Sequence, residues 1–343
     1  MKLMGYRITT ITGSASGNRA AAEFLAAFVR DGELTDPREG DDLADVWQQR
    51  MRWWWDENPF CREDSPRGFL LRDEDDDIVG FNGLIPFDYE VDGEIVASLV
   101  TTTFFVRERH RSAVMGMLTR QRALSQQYHM IDGSPSPEMR RLLVKLGYER
   151  SGDRFQYLFP TNRLGGPVAR ACLKALGWCL PLPPASFLQG YRVTNDPEKY
   201  PTGGAWPEGI LHRRLDPDSL HWLSSVGSEP RQFFGLIDEA GDPVAHVIGV
   251  YKSRFGVKAC LLLDFHDHHE DGAGIGLLIR KLLEHPAQSG LDAETAILLY
   301  SRFTPDPEAP GLRRVSLLHY QLPVTRPGVK KACLPIEGDL HLL

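Results

Sequence analysis

The stretch FFVRERHRSAVMGMLTRQRAL, residues 104–124, decides how the chain is read. It opens as an apolar strand, passes Arg107, Arg109, His110 and Arg111, and takes up a helical pattern from about Ser112. The start of a helix leaves main-chain N–H groups without intrahelical acceptors and carries a partial positive charge, so it suits an anion. Arginines at such a start add bidentate donors, and the small residues Ser112, Ala113 and Gly116 let a ligand approach the backbone. The stretch therefore reads as strand, anion seat and helix, with the seat running from Arg111 through Ser112, Ala113, Val114 and Met115 to Gly116.

Composition sets the surroundings of this seat. At 343 residues, with 42% apolar and 25% charged types, the chain is long enough for about two domains. A formal charge of -7 gives no global basic field, so nucleic-acid binding is not expected, whereas small anions remain suitable partners. Cys61, Cys172, Cys179, Cys260 and Cys333 are scattered, with no Cys-x-x-Cys pair. This argues against a disulfide framework and a zinc site, and for a reducing, cytoplasmic compartment. The first twenty residues carry no apolar core of signal type, and no run of about 18 apolar residues offers a membrane span, so a soluble protein is expected.

A duplication organises the chain. LLRDEDDDIVGFNGLI (70–85) and GLIDEAGDPVAHVIGVY (235–251) each read as strand, acidic turn, strand. Each is followed by a further strand, ASLVTTTFFV (97–106) or VKACLLLDF (257–265), and then by a helix, SAVMGMLTRQRALSQQY or GAGIGLLIRKLLEH. Two copies of one α/β unit are expected. Before the first copy, Trp47, Met51, Trp54 and Trp55 recur at helical spacing as a core stripe, with Trp53 pointing elsewhere. Between the copies, Gly165, Gly166, Pro181, Pro183 and Pro184 bracket a short apolar helix, read as a connector packed between the domains in preference to a helix that touches a membrane surface, for which it is short and weakly basic. The expected domains are 1–160, a linker over 161–205, and 206–343.

The segment GSPSPEMRRLLVKLGYERSG (133–152) adds a helix with Ser136 as N-cap, Pro137 at its first position and Gly147 as a left-handed stop. Strand, basic turn, helix, the short strand HMIDGS, capped helix and Leu-Gly-Tyr, in that order, resemble the GNAT superfamily of acyl-CoA-dependent N-acyltransferases. The resemblance implies an α/β (α+β) fold of two GNAT-like domains, each a mixed, mostly antiparallel twisted sheet flanked by helices. The family's diphosphate loop, Arg/Gln-x-x-Gly-x-Gly/Ala, falls on HRSAVM or RSAVMG, with its first glycine replaced by Ala113 or Val114. By the same resemblance, Phe105, Val106 and Arg107 would pair with pantetheine as an added strand. Ser136, Met139, Leu142, Leu143, Lys145, Gly147 and Tyr148 match the family's later segment, whose general-acid tyrosine is Leu143 here. Tyr148 or a water molecule is the candidate acid in its place, an inactive site being the alternative.

The chemistry so implied is amine attack on a thioester, which needs a polarised carbonyl, a neutral amine and a base. Asp88, Glu90 and Asp132 are candidate bases, with Asp132 preferred for its place on the short strand, and Thr101, Thr102 and Thr103 could bind an acceptor. In the second copy, DGAGIG (271–276) keeps the glycine spacing but puts Asp271, with Asp267 and Glu270 beside it, where a cation is needed. This half reads as a degenerate copy. LDFHDHHEDG (263–272) allows His266 and His268 to share a face while His269 points away, and reads as a polar loop with no metal. The expectation is an N-acetyltransferase using acetyl-CoA or another acyl-CoA, acting on a small-molecule amine or amino sugar, with a homodimer open to it. A Fem-like aminoacyl-tRNA-dependent peptidyltransferase and a non-catalytic binding or scaffold protein are the alternatives.

Overall fold

The computed structural model describes residues 2–3, 5–13, 15–31, 43–133, 135–202, 208–225, 231–254, 256–268, 273–304, 312–313, 319–321 and 330–331. The chain divides into two compact units, the first built from Met1–Arg150 with His319–Pro327 and Glu337–Leu343, the second from Ser151–Leu318 with Gly328–Ile336.

The first unit contains β1 (Tyr6–Ile11), α1 (Ala15–Arg30), α2 (Leu43–Met51), β2 (Gly68–Arg72), β3 (Ile78–Val91), β4 (Glu94–Val106), α3 (Val114–Ala123), β5 (His129–Asp132) and α4 (Pro137–Lys145). Its sheet runs β1-β2-β3-β4-β5, antiparallel except for the parallel β4–β5 pair, and His319–Gln321 adds an antiparallel strand beyond β5. The β3–β4 turn is Asp92-Gly93, both at positive φ (50° and 80°), as a tight hairpin turn requires. After α2 the chain continues into a π-helical turn, Arg52–Asp56. The wider turn changes which side chains face inward, so Trp53 is buried with Trp54 and Trp55 instead of pointing away. Trp47, Trp54 and Met51 form core as the spacing indicates, and the Trp55 indole donates to the Leu84 carbonyl at 2.8 Å.

The second unit contains β6 (Glu149–Pro160), α5 (Gly166–Ala175), β7 (Arg192–Thr194), β8 (Ile210–Arg213), α6 (Pro217–Ser224), β9 (Arg231–Ile237), β10 (Pro243–Arg254), β11 (Val257–Asp267), α7 (Ala273–Glu284) and β12 (Ile297–Thr304). The sheet order is β7-β9-β10-β11-β12-β6, again antiparallel except for one parallel pair, β11–β12. The sequence β2-β3-β4-α3-β5 of the first unit is thus repeated as β9-β10-β11-α7-β12.

The boundary differs from the one expected. β6 belongs to the second unit from Ser151, and so do the described residues of the expected linker, 161–202. Leu173, Cys179, Leu180, Leu182, Leu188, Tyr191 and Val193 pack into the second unit's core with Phe234, Leu262, Leu278 and Leu298. The prolines and glycines of this stretch end its short helix, but its apolar side chains gain more from burial than from remaining in water.

Candidate functional site

In the first unit β4 and β5 form a fork. They pair only over Ser98–Thr101 and His129–Asp132, with Thr101 opposite Asp132, while β4 continues to Val106 along β3. Near the branch point β4 carries a bulge: Phe81 faces Phe105 and Gly83 faces Thr102, so β4 has one residue more than β3 there. Thr103 occupies the bulge at φ 51°, an unusual conformation for a β-branched residue. Downstream, Arg107 N donates to Val79 O at 2.9 Å. Alternation along an antiparallel ladder then directs the main-chain groups of Phe105 and Arg107 toward β3, and those of Phe104 and Val106 toward the opened side. Of the three residues expected to pair with pantetheine, only Val106 presents its backbone there, and Phe104 joins it.

A buried polar group lies at the branch point. Gln121, from the inward face of α3, accepts a hydrogen bond from Asn82 Nδ2 (2.8 Å) and donates through Nε2 to Thr101 Oγ1 (3.1 Å) and to the Tyr148 hydroxyl (2.9 Å). Asn82, Gln121, Thr101, Tyr148 and Asp132 are all buried. Burial raises the Tyr148 phenol well above the ordinary tyrosine range, and the neighbouring Asp132 carboxylate adds to the rise against the opposing Gln121 hydrogen bond. Asn82 Oδ1 is buried with no hydrogen-bond partner among the described residues, an acceptor for which a bound N–H would be a fitting partner. Tyr148 reaches this place because Gly147, at φ 86°, ends α4 with Tyr148 N bonded to Leu143 O. The structure therefore brings together Asp132, Tyr148 and Thr101. Asp88 is paired instead with Arg62 at 3.3 Å, on the part of β3 opposite Ala97. Asn82 and Gln121 were not among the sequence candidates, and Thr103 was one for its hydroxyl and not for a bulge. A glutamine among Met117 and Leu118 on a core-facing helix side was the available signal.

The basic turn is built differently from the expectation. Helical structure begins at Glu108, as a 3₁₀ segment Glu108–Ala113 that runs into α3 at Val114. His110 N donates to Arg107 O and Val114 N to Arg111 O, so the amides of Ser112, Ala113 and Val114 are spent inside the helix. The donors without intrahelical acceptors are those of Glu108 and Arg109, six and five residues ahead of Val114. His110 fixes this turn: its Nε2 accepts from Arg109 Nε at 2.7 Å, which leaves Nδ1–H to donate to the Tyr6 hydroxyl at 3.0 Å. Arg107 is held by Asp31 at 2.9 Å and lies over Phe24 and Phe28. Arg111 is exposed, with Glu108 3.8 Å away. Ser112 and Met115 are exposed, Gly116 is buried in the helix face, and Ser136 caps α4 by accepting from Met139 N at 3.2 Å.

The second unit repeats the fork. β11 pairs with β12 over Ala259–Leu262, and a register shift beside Gly249 places the extra residue on β11. At the start of α7, Asp267 accepts from Ile275 N at 2.8 Å, and a side chain on Gly274 would meet that carboxylate at 2.5 Å. The helix start is thus occupied by the protein's own anion, which fits the reading of a degenerate copy. Asp271, Glu270 and His269 lie outside the described residues. His266 and His268 share a face, their rings 4.2 Å apart, and His246 stacks on His266 at 5.7 Å under Tyr200. Among the described residues no three His, Cys, Asp or Glu side chains are disposed to hold a metal, and no helix is long and apolar enough to cross a membrane.

No protein-family model matches the sequence, and no curated protein does. The likeness is in the fold. The chain aligns with an Enterococcus faecalis V583 protein described as "Probable N-Acyltransferase" at TM-score 0.54 and 10% identity, over 92% of this chain and 72% of that one. It aligns equally well with a GCN5-related N-acetyltransferase from Anabaena variabilis (TM-score 0.54, 13% identity, 92% and 72%). The N-myristoyltransferase of Saccharomyces cerevisiae, with myristoyl-CoA and inhibitors, gives TM-score 0.50 at 10% identity over 94% and 81%. The chain has the GNAT fold, twice over.

Proposed function

We propose that the protein is an acyl-CoA-dependent N-acyltransferase whose working site is the β4/β5 fork of the first unit. The observation that carries this is the bulged, opened edge of β4 lying beside a buried Tyr148–Gln121–Thr101 group and Asp132. The main-chain groups of Phe104 and Val106 suit the amides of a pantetheine arm, which adds to a sheet edge as a strand does. That edge leads to the amides of Glu108 and Arg109 and to the exposed Arg111, which suit a diphosphate; the seat lies one helical turn earlier than the family's loop. Acetyl-CoA is the first donor to test, and a small amine or amino sugar, in the cytoplasm, the first acceptor.

In this reading Asp132 takes the proton from the attacking ammonium, the amine nitrogen bonds to the acyl carbon, and the carbon–sulfur bond breaks. Tyr148, kept protonated by burial, gives its proton to the departing thiolate and takes the second proton of the new amide nitrogen in return, so that Asp132 alone ends protonated and releases its proton to water, while Gln121 Nε2 holds the hydroxyl in place. Tyr148→Phe leaves Gln121 bonded to Thr101, so it should cost about 1 kcal/mol of stability. Its kcat for thiol release across an amine panel should fall about a hundredfold or more. Unchanged kcat removes Tyr148 from the mechanism, and coenzyme binding with no thiol release favours a binding protein instead, a reading supported by the spent amides of Ser112–Val114.

A further inference from the structure

α5 is apolar on two sides. Leu173, toward its inner side, packs into the second unit's core. On the outer side Val168 and Cys172, four apart on α5, and Leu176 at its C-cap are exposed, Val168 by 74% and Leu176 by 61%, and Leu164, on the 3₁₀ turn before Gly165, is exposed as well. Trp178, 38% exposed, follows directly, and Phe187, 61% exposed, stands on the next turn. Large apolar groups left in water on this helix and on the turns that flank it mark an interaction surface.

Charge says what covers it. Residues 154–195 contain Arg154, Arg163, Arg170, Lys174 and Arg192 and no Asp or Glu, in a chain of formal charge -7. Arg163 and Lys174 are exposed beside the stripe. Asp292, within electrostatic reach of Arg163, is already paired with Lys258 at 2.7 Å, and Glu284, near Arg170, with Arg280 at 3.1 Å. A second copy of this face would bring like charges together. An apolar stripe bordered by cations and an exposed tryptophan is the composition of a helix that lies in the plane of a lipid–water interface. We propose that α5, with Trp178 and Phe187, docks the protein on an anionic lipid bilayer.

The test uses the full chain with vesicles of phosphatidylcholine alone or with 30 mol % phosphatidylserine. Two exposed cations at about fivefold each predict binding on the order of twentyfold stronger to the anionic vesicles, weakening as salt is added. Trp178 is the exposed tryptophan among the described residues, Trp47, Trp53, Trp54, Trp55 and Trp222 being buried. The emission of the protein should shift to the blue on binding, and Trp178→Phe should abolish that shift. Val168→Glu and Leu176→Glu, at exposed positions that folding tolerates, should each weaken vesicle binding more than tenfold while circular dichroism stays unchanged. No binding, equal binding to both vesicle types, indifference to both glutamates, or a dimer in sedimentation that Val168→Glu dissociates would each overturn the proposal.

Discussion

Gln121→Leu tests the buried polar group most sharply, because leucine fills nearly the same volume and removes every hydrogen bond. The variant strands Asn82 Nδ2, Thr101 Oγ1 and the Tyr148 hydroxyl, which Gln121 bonds at 2.8, 3.1 and 2.9 Å. Each buried group left without a partner costs about 2 kcal/mol, so the loss should be about 6 kcal/mol. Tyr148→Phe alone should cost about 1 kcal/mol, since Gln121 keeps Thr101. In the double variant only Asn82 and Thr101 are stranded, so the total should be about 4 kcal/mol instead of the additive 7. Urea unfolding followed by tryptophan fluorescence measures this, because Trp47, Trp53, Trp54 and Trp55 are buried in the first unit. Costs that add to within about 0.5 kcal/mol would refute the network and with it the positioning of Tyr148.

Two further outcomes concern stability. His246 and His266 are held neutral, well below the ordinary imidazole range, first by burial and then by neighbours that include Arg213 and His268. Below about pH 6.5 the unfolded imidazoles take up protons that the folded ones refuse, so second-unit stability is complete above that pH and falls as pH drops. The slope is up to about 1.4 kcal/mol per pH unit for each histidine, and His246→Gln should roughly halve it in thermal melts across pH 5–7. Gly93→Ala meets no atom within 4 Å, so its cost, about 1 kcal/mol in denaturant unfolding, should be the backbone strain of φ 80° alone.

Local signals in the sequence were read correctly because their causes are local. Ser136 and Gly147 bracket α4 through bonds to residues three to five positions away. The repeated order of strands and helix was visible for the same reason. What escaped reading depends on distant pairing. The bulge at Thr103 is a matter of register against Phe81 and Gly83, and the 3₁₀ turn at Glu108 follows from His110 being tied to Tyr6, 104 positions away. Gln121 looked like an ordinary helix residue until Asn82, Thr101 and Tyr148 converged on it. The 161–205 stretch kept the composition of a connector while its apolar side chains completed a core.

Hydrogen–deuterium exchange of the full chain, with and without acetyl-CoA, addresses the acyl-CoA site most directly. Slowed exchange at Phe104 and Val106 and at Glu108 and Arg109, with Phe105 unchanged, is the result predicted for a pantetheine arm laid along the open edge of β4. Unaltered exchange across 104–109, or slowing confined to the β11 edge of the second unit, would contradict it.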